Sequence, residues 1–257
     1  MKHLGPIAAI SMMLALCPWV HATTIGPDAY GYIASDVSYA WEDATGGQVW
    51  LATADDQAAT RSLGFTFNFY GVGYNLVRFS DNGLITFVNE STQESNGNLT
   101  TTALAPDLPA IAVLWDDWYR DPDVTGSGVY YATVGTPGDR RFILQWNCFD
   151  HASSTPDTVT FQAILYEATG SVLCQYQDVV ITSGDGLYDY GKSATVGIRD
   201  TAGQTSGRNL QWSFNQAVIG NGTSILFSGP VPEPVTMAGL VLGIGCLARY
   251  VRRRRVA

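Results

Sequence analysis

Two-residue alternation of apolar and polar side chains dominates the middle of this chain. Phe65, Phe67 and Phe69 fall on one side of an extended backbone and Thr66, Asn68 and Tyr70 on the other. Phe142, Leu144, Trp146 and Cys148 repeat the pattern against Ile143, Gln145 and Asn147, as do Phe161, Ala163 and Leu165. A helix cannot keep such a pattern on one face, so strands are predicted. The clearest runs are Gln48–Thr53, Leu63–Tyr70, Tyr74–Phe79, Leu84–Val88, Ala110–Trp115 and Gly128–Val134. Arg140–Phe149, Thr158–Ala168, Ser171–Ile181, Ser193–Arg199, Arg208–Phe214 and Ser224–Phe227 follow. Short strands separated by turn residues predict an all-β fold, an antiparallel β-sandwich. Thr169-Gly170, between two apolar runs, predicts a hairpin over Thr158–Ile181. Ala54–Arg61 has room for two helical turns at most. Asn89–Thr102, rich in Ser, Thr, Asn and Gly, reads as the longest loop, mobile and tolerant of insertion.

The two ends are different in kind. Lys2 and His3 precede an apolar run, Leu4–Val20, that closes on the small-residue site Val20-His21-Ala22. This layout predicts a secretory signal peptide over 1–22, with an uncleaved membrane anchor as the alternative. Near the other end, Pro232-Glu233-Pro234 precedes the apolar stretch Val235–Ala248 and the cluster Arg252, Arg253, Arg254 and Arg255. A helix over 235–251 would reach about 26 Å, against a hydrocarbon core of about 30 Å. The span is marginal, and its arginines are expected on the cytoplasmic side. The segment 231–257 resembles the PEP-CTERM sorting signal of bacterial exported proteins. That resemblance implies cutting near Pro232–Pro234 by an exosortase, a membrane-embedded cysteine protease. It also implies a membrane-held precursor destined for the cell surface or matrix. The alternative is a single-pass protein with a chance Pro-Glu-Pro spacer.

What lies between, residues 23–230, is expected to be one β-sandwich ectodomain between a signal peptide and a transmembrane sorting helix. It carries eight basic against twenty-two acidic residues, with Lys192 the sole lysine. So acidic a surface repels polyanions, which argues against nucleic-acid binding, and attracts divalent cations or basic partners. The order of its strands carries a second resemblance. The run LGFTFNFYGVGYNLVRFSDNGLITF has aromatic strands, a Tyr70-Gly71 turn and an Asp81-Asn82-Gly83 turn. IAVLWDDW, GVYYATVG, RRFILQWNCF, FQAILYEATGSVLCQY and SATVGIRD follow in order. Over about residues 47–200 the chain is similar to nidogen-like (NIDO) extracellular domains. The resemblance implies a structural or adhesive role in an extracellular matrix, among exopolysaccharides, and brings no catalytic residue set. Gly71 and Gly83 read as structural, because these turns need positive φ.

Candidate chemistry is concentrated in Trp115–Asp123. Asp116, Asp117, Asp121 and Asp123 offer hard oxygen ligands for calcium, although the spacing is not that of an EF-hand; Asp and Pro also favour plain turns. Asp116 and Asp117 are adjacent in an extended segment and point apart, which is wrong for a glycosidase pair. After processing, His151 is the only histidine, and no nucleophile elbow or HExxH motif is present. A non-enzymatic role is therefore expected. Trp118, Tyr119, Tyr188 and Tyr190 lie in or beside loops and suggest a glycan-binding surface; the alternative is that they staple the core edge. Cys148 and Cys174 are the two cysteines of the domain. Export permits a disulfide between them, burial permits two free thiols, and the spacing leaves both open.

Overall fold

The computed structural model describes residues 23–103, 107–181 and 186–230. The first sheet has the order β1 (Thr24–Ile25), β2 (Ile33–Asp36), β15 (Thr223–Ser228), β12 (Val172–Asp178), β11 (Ser154–Tyr166), β10 (Arg141–His151), β9 (Gly128–Val134) and β3 (Gln48–Trp50). A two-residue strand, β8 (Trp118–Tyr119), pairs with the end of β10. The second sheet runs β14 (Asn209–Phe214), β13 (Thr195–Arg199), β7 (Ala110–Trp115), β6 (Leu84–Thr86), β5 (Val72–Ser80) and β4 (Ala58–Phe69). All pairings are antiparallel. The signal-peptide and sorting-helix segments, with Pro232, Glu233, Pro234 and Arg252–Arg255, lie outside the described residues. Among the described residues, no helix is long and apolar enough to cross a membrane.

The alternating residues become the core, as the period of two requires. Phe67 and Phe69 of β4 and Phe79 of β5 share one buried cluster with Phe142, Trp146 and Phe161 of the facing sheet. Two buried polar tips cross the interface. The Trp146 indole donates to Ser80 O at 2.8 Å and the Tyr176 hydroxyl to Val113 O at 2.6 Å. Each satisfies a group whose burial would otherwise be costly. Tyr70-Gly71 closes the β4–β5 hairpin with φ of +50° and +82°, the two left-handed residues a tight primed turn requires.

Three expectations change. Ala58–Arg61 is strand, paired with Val77–Ser80, so the helical option at Ala54–Arg61 is lost to the edge of a sheet. The Thr169-Gly170 connection is longer than two residues, running from the end of β11 to the start of β12, with Gly170 at φ +64°. Asn89–Thr102 is not a free loop. It lies over the outer face of the second sheet, where Leu99 is buried with Leu84, Ala110, Ala112 and Trp115. Asn96 donates to Ser193 O at 2.6 Å, and the Trp115 indole donates to Gln93 O at 2.8 Å. An apolar outer face needs such a cover, and the segment's polar composition concealed it.

Cys148 and Cys174 are free thiols. Their strands flank β11, and a register shift between Trp146 and Phe149 interrupts the alternation of β10. Cys148 takes φ +54° in that bulge, so Phe149 instead follows Trp146 into the core. Cys174 is opposite Ala163, and burial pushes its thiol well above the ordinary range.

On the outer face of the first sheet, Gln145, Gln162, Gln175 and Ser224 stand in register across β10, β11, β12 and β15. All four are buried. The Gln162 and Gln175 amides meet at 2.8 Å, and Gln175 donates to Ser224 Oγ at 2.9 Å. Gln145 Oε1 accepts the Ala44 N–H at 2.8 Å, which fastens the segment before β3 over this row.

Candidate functional site

At one end of the sandwich, the turn Asp81-Asn82-Gly83 between β5 and β6 holds three loops together. Gly83 has φ +71°, and a Cβ there would sit 2.6 Å from Leu114 O, so both conformation and space demand glycine. Asn82 is fully buried. Its amide donates to Asp56 Oδ1 at 2.8 Å and Thr92 O at 3.2 Å, while its Oδ1 accepts the Trp118 N–H at 2.9 Å. The Asp81 carboxylate accepts the Gln57 N–H on both oxygens, at 3.1 and 2.9 Å. These bonds bring the β3–β4 loop beside the start of β8. Asp55, Asp56 and Asp117 consequently each place a carboxylate oxygen within 4.8 Å of the others. Such a trio offers the hard, anionic oxygens a divalent cation prefers.

The electrostatics follow from crowding. Burial, then the charges of Asp55 and Asp56 after the opposing Gln57 hydrogen bond, push the Asp81 carboxyl up to about 7. Burial and Asp56 raise Asp55; burial and Asp55 raise Asp117. Glu94 is raised by its hydrogen bond to Asp56 and by the charges of Asp56 and Asp117. A carboxyl raised on folding holds its proton in the native chain after the unfolded chain has released it. Stability from this end is therefore greatest at low pH and is lost as pH rises from about 4 to about 7. For Asp81 the loss between pH 5 and 7.5 is on the order of 2 kcal/mol, or about 4–8 °C in melting temperature. Thermal melts should show this fall in wild type and much less of it in Asp81→Asn. A wild-type melting temperature that is flat or rising over that range would contradict it.

Behind the trio, Asp116 serves a different group. Its Oδ2 accepts the Ser193 hydroxyl and lies 3.5 Å from His151 Nε2. The Ser153 N–H donates to His151 Nδ1 at 3.1 Å, which assigns the ring proton to Nε2, facing Asp116. The imidazole is buried, stacked on Tyr188 at 3.8 Å and edge-on to Trp118 at 5.0 Å. Ser193 gives its hydrogen bond to the carboxylate and not to the imidazole, unlike a serine activated by a histidine base.

A family model described as NIDO related matches residues 31–231, from just before β2 through β15. The chain belongs to the NIDO-related family. Comparison with curated proteins and with solved structures gives no match. The NIDO-related domain thus takes in nearly the whole of both sheets, beyond the 47–200 over which the sequence resemblance was read.

Within the NIDO-related domain, the residues singled out from sequence are dispersed. Asp117 joins the trio, and Asp116 belongs to His151 and Ser193. Asp121 Oδ1 caps the N–H of Asp123 at 2.8 Å, and Asp123 is exposed. The four aspartates therefore do not form one calcium site, because extended backbone sends neighbours to opposite faces. Nor do the aromatics form one surface. Trp118 is buried, its indole donating to Leu114 O at 2.6 Å; Tyr188 is taken up by His151; Tyr190 is exposed on a one-turn 3₁₀ segment. Tyr119 alone faces a cavity, of about 420 Å³, lined also by Ala52–Asp55, Arg120 and Pro122. Sequence reasoning missed Asp55, Asp56 and Glu94. The adjacent acids Asp55-Asp56 were the available signal, hidden by a helical reading of that stretch.

Proposed function

We propose that this NIDO-related chain is an exported structural or adhesive protein of the cell surface or surrounding matrix. In this reading an exosortase processes it at Pro232-Glu233-Pro234, and the ectodomain associates with exopolysaccharide or other surface proteins. The observation that carries the reading is the order of parts. A signal-peptide layout over 1–22 precedes one NIDO-related domain, and a PEP-CTERM-like tail over 231–257 follows it. The role is non-catalytic, and the pairing of Ser193 with Asp116 supports that.

The test is a chain with an epitope ahead of Pro232, expressed in hosts with and without an exosortase. A shortened, released or surface-transferred form is expected with the enzyme, and a full-length membrane-held form without it. Replacing Pro232, Glu233 and Pro234 by alanine should reproduce the second result in the first host. Identical size and fractionation in both hosts would remove the sorting reading.

A second reading, a glycan-binding module, is favoured by the Tyr119 cavity, where an aromatic face meets Asp55 and Arg120. Polymer pull-downs with wild type and Tyr119→Ala separate the two. Loss of retention in the variant supports a sugar site there, and equal retention removes it.

A further inference from the structure

A second group of carboxylates lies on the other face of β8. Register pairs Asp150 with Tyr119 and His151 with Trp118, so Asp150 shares a side with Tyr119, away from the imidazole. Asp150 is 0% exposed, and neither of its carboxylate oxygens has a partner in good hydrogen-bond geometry, although the Tyr119 hydroxyl and the Asp121 carboxyl are near enough to act on it. The side chains with the largest influence on its ionisation are Asp121, Tyr119 and Asp157, and none of these is a cation. Burial, then the Asp121 charge, pushes its carboxyl up to about 6. An ionised carboxylate cannot be left dry without compensation. A proton shared with Asp121 would satisfy one oxygen and leave the other with no more than the poorly aligned Tyr119 hydroxyl. A divalent cation engages both oxygens at once and neutralises the Asp121 charge as well.

We propose that Asp150 and Asp121 form an inner binding site for a divalent cation of the calcium class, with Asp150 contributing both carboxylate oxygens. This site is separate from the Asp55–Asp56–Asp117 trio and does not depend on export or sorting. Its function is to lock the strand β8 and the 120–123 turn onto the end of β10, next to the Tyr119 cavity.

The test uses the full-length chain in detergent at pH 7.5, carrying Asp55→Asn and Asp56→Asn so that the outer trio contributes nothing. Calcium chloride, from none to millimolar, is the probe, and melting temperature the readout. Adding calcium should raise the melting temperature by about 5 °C or more, by mass action on a folded-state site. Asp150→Asn should melt higher than its parent without calcium, since the amide carries no buried charge, and should shift by less than about 1 °C with it. Asp121→Asn should weaken the apparent calcium affinity about tenfold or more, each lost carboxylate ligand lowering the charge of the site. No calcium response in the parent overturns the proposal, as does a parent-sized response in Asp150→Asn. If Asp150→Asn does not fold, Asp121→Asn decides, and an unchanged affinity there overturns the proposal.

Discussion

Trp118→Ala is expected to destabilise the domain by about 3–5 kcal/mol, the range for emptying a buried tryptophan position. The indole is 1% exposed, packs toward Phe161 at 6.4 Å, edges His151 at 5.0 Å, and satisfies the Leu114 carbonyl. Truncation leaves a cavity between the sheets and a buried carbonyl without its donor, and both effects have the same sign. Tyr119→Ala, one residue on, removes a half-exposed ring and should cost about 1 kcal/mol or less. Urea denaturation of both variants measures the contrast. Equal losses would mean that the two aromatics have the same environment, against their placement on opposite faces of β8.

The second large effect is expected at Asn82. Asn82→Ala removes the amide donor to the Thr92 carbonyl and to Asp56, and one of the two acceptors of the Trp118 N–H, which keeps Asp116 O at 3.0 Å. Asn82 itself is fully buried, so the emptied side-chain site adds to the lost hydrogen bonds, one of them to a carboxylate, and a loss on the order of 2–3 kcal/mol follows. The consequence is also spatial, since the β3–β4 loop, the 89–102 cover and the start of β8 all meet at this side chain. Hydrogen exchange should accelerate in all three segments of the variant while the β10–β11 hairpin stays protected. Acceleration confined to residues beside Asn82 would mean that the loops are held independently.

The fold was largely readable because its strands alternate over long stretches; Ala110–Trp115 and Gly128–Val134 were placed to the residue. Short strands were not readable. β1 and β8 have two residues each, too few to show a period, and β8 looked like a turn because Asp and Pro surround it. The site was less legible than the fold for a related reason. Asp117 comes from one loop and Asp55 and Asp56 from another, joined through Asn82, and nothing local in sequence announces a meeting of distant loops. Local clustering misled in the opposite direction: Asp116, Asp117, Asp121 and Asp123 are close in number and belong to three different environments. Only the face of Cys148 was misplaced, through a single inserted residue, since parity holds up to Trp146 and reverses at the bulge.

The glutamine row beneath the Ala44 segment limits how the first sheet can be misassembled. Sliding β11 or β12 by one step would send Gln162 or Gln175 in among the phenylalanines and turn Phe161 or Cys174 outward. Each mistaken alignment would strand an amide in hydrocarbon and break the chain of contacts that ends on Ser224. A polar seam of this kind, fixed by partners on three neighbouring strands, acts as a proofreading device for a sheet whose opposite face is uniformly greasy and would tolerate many arrangements.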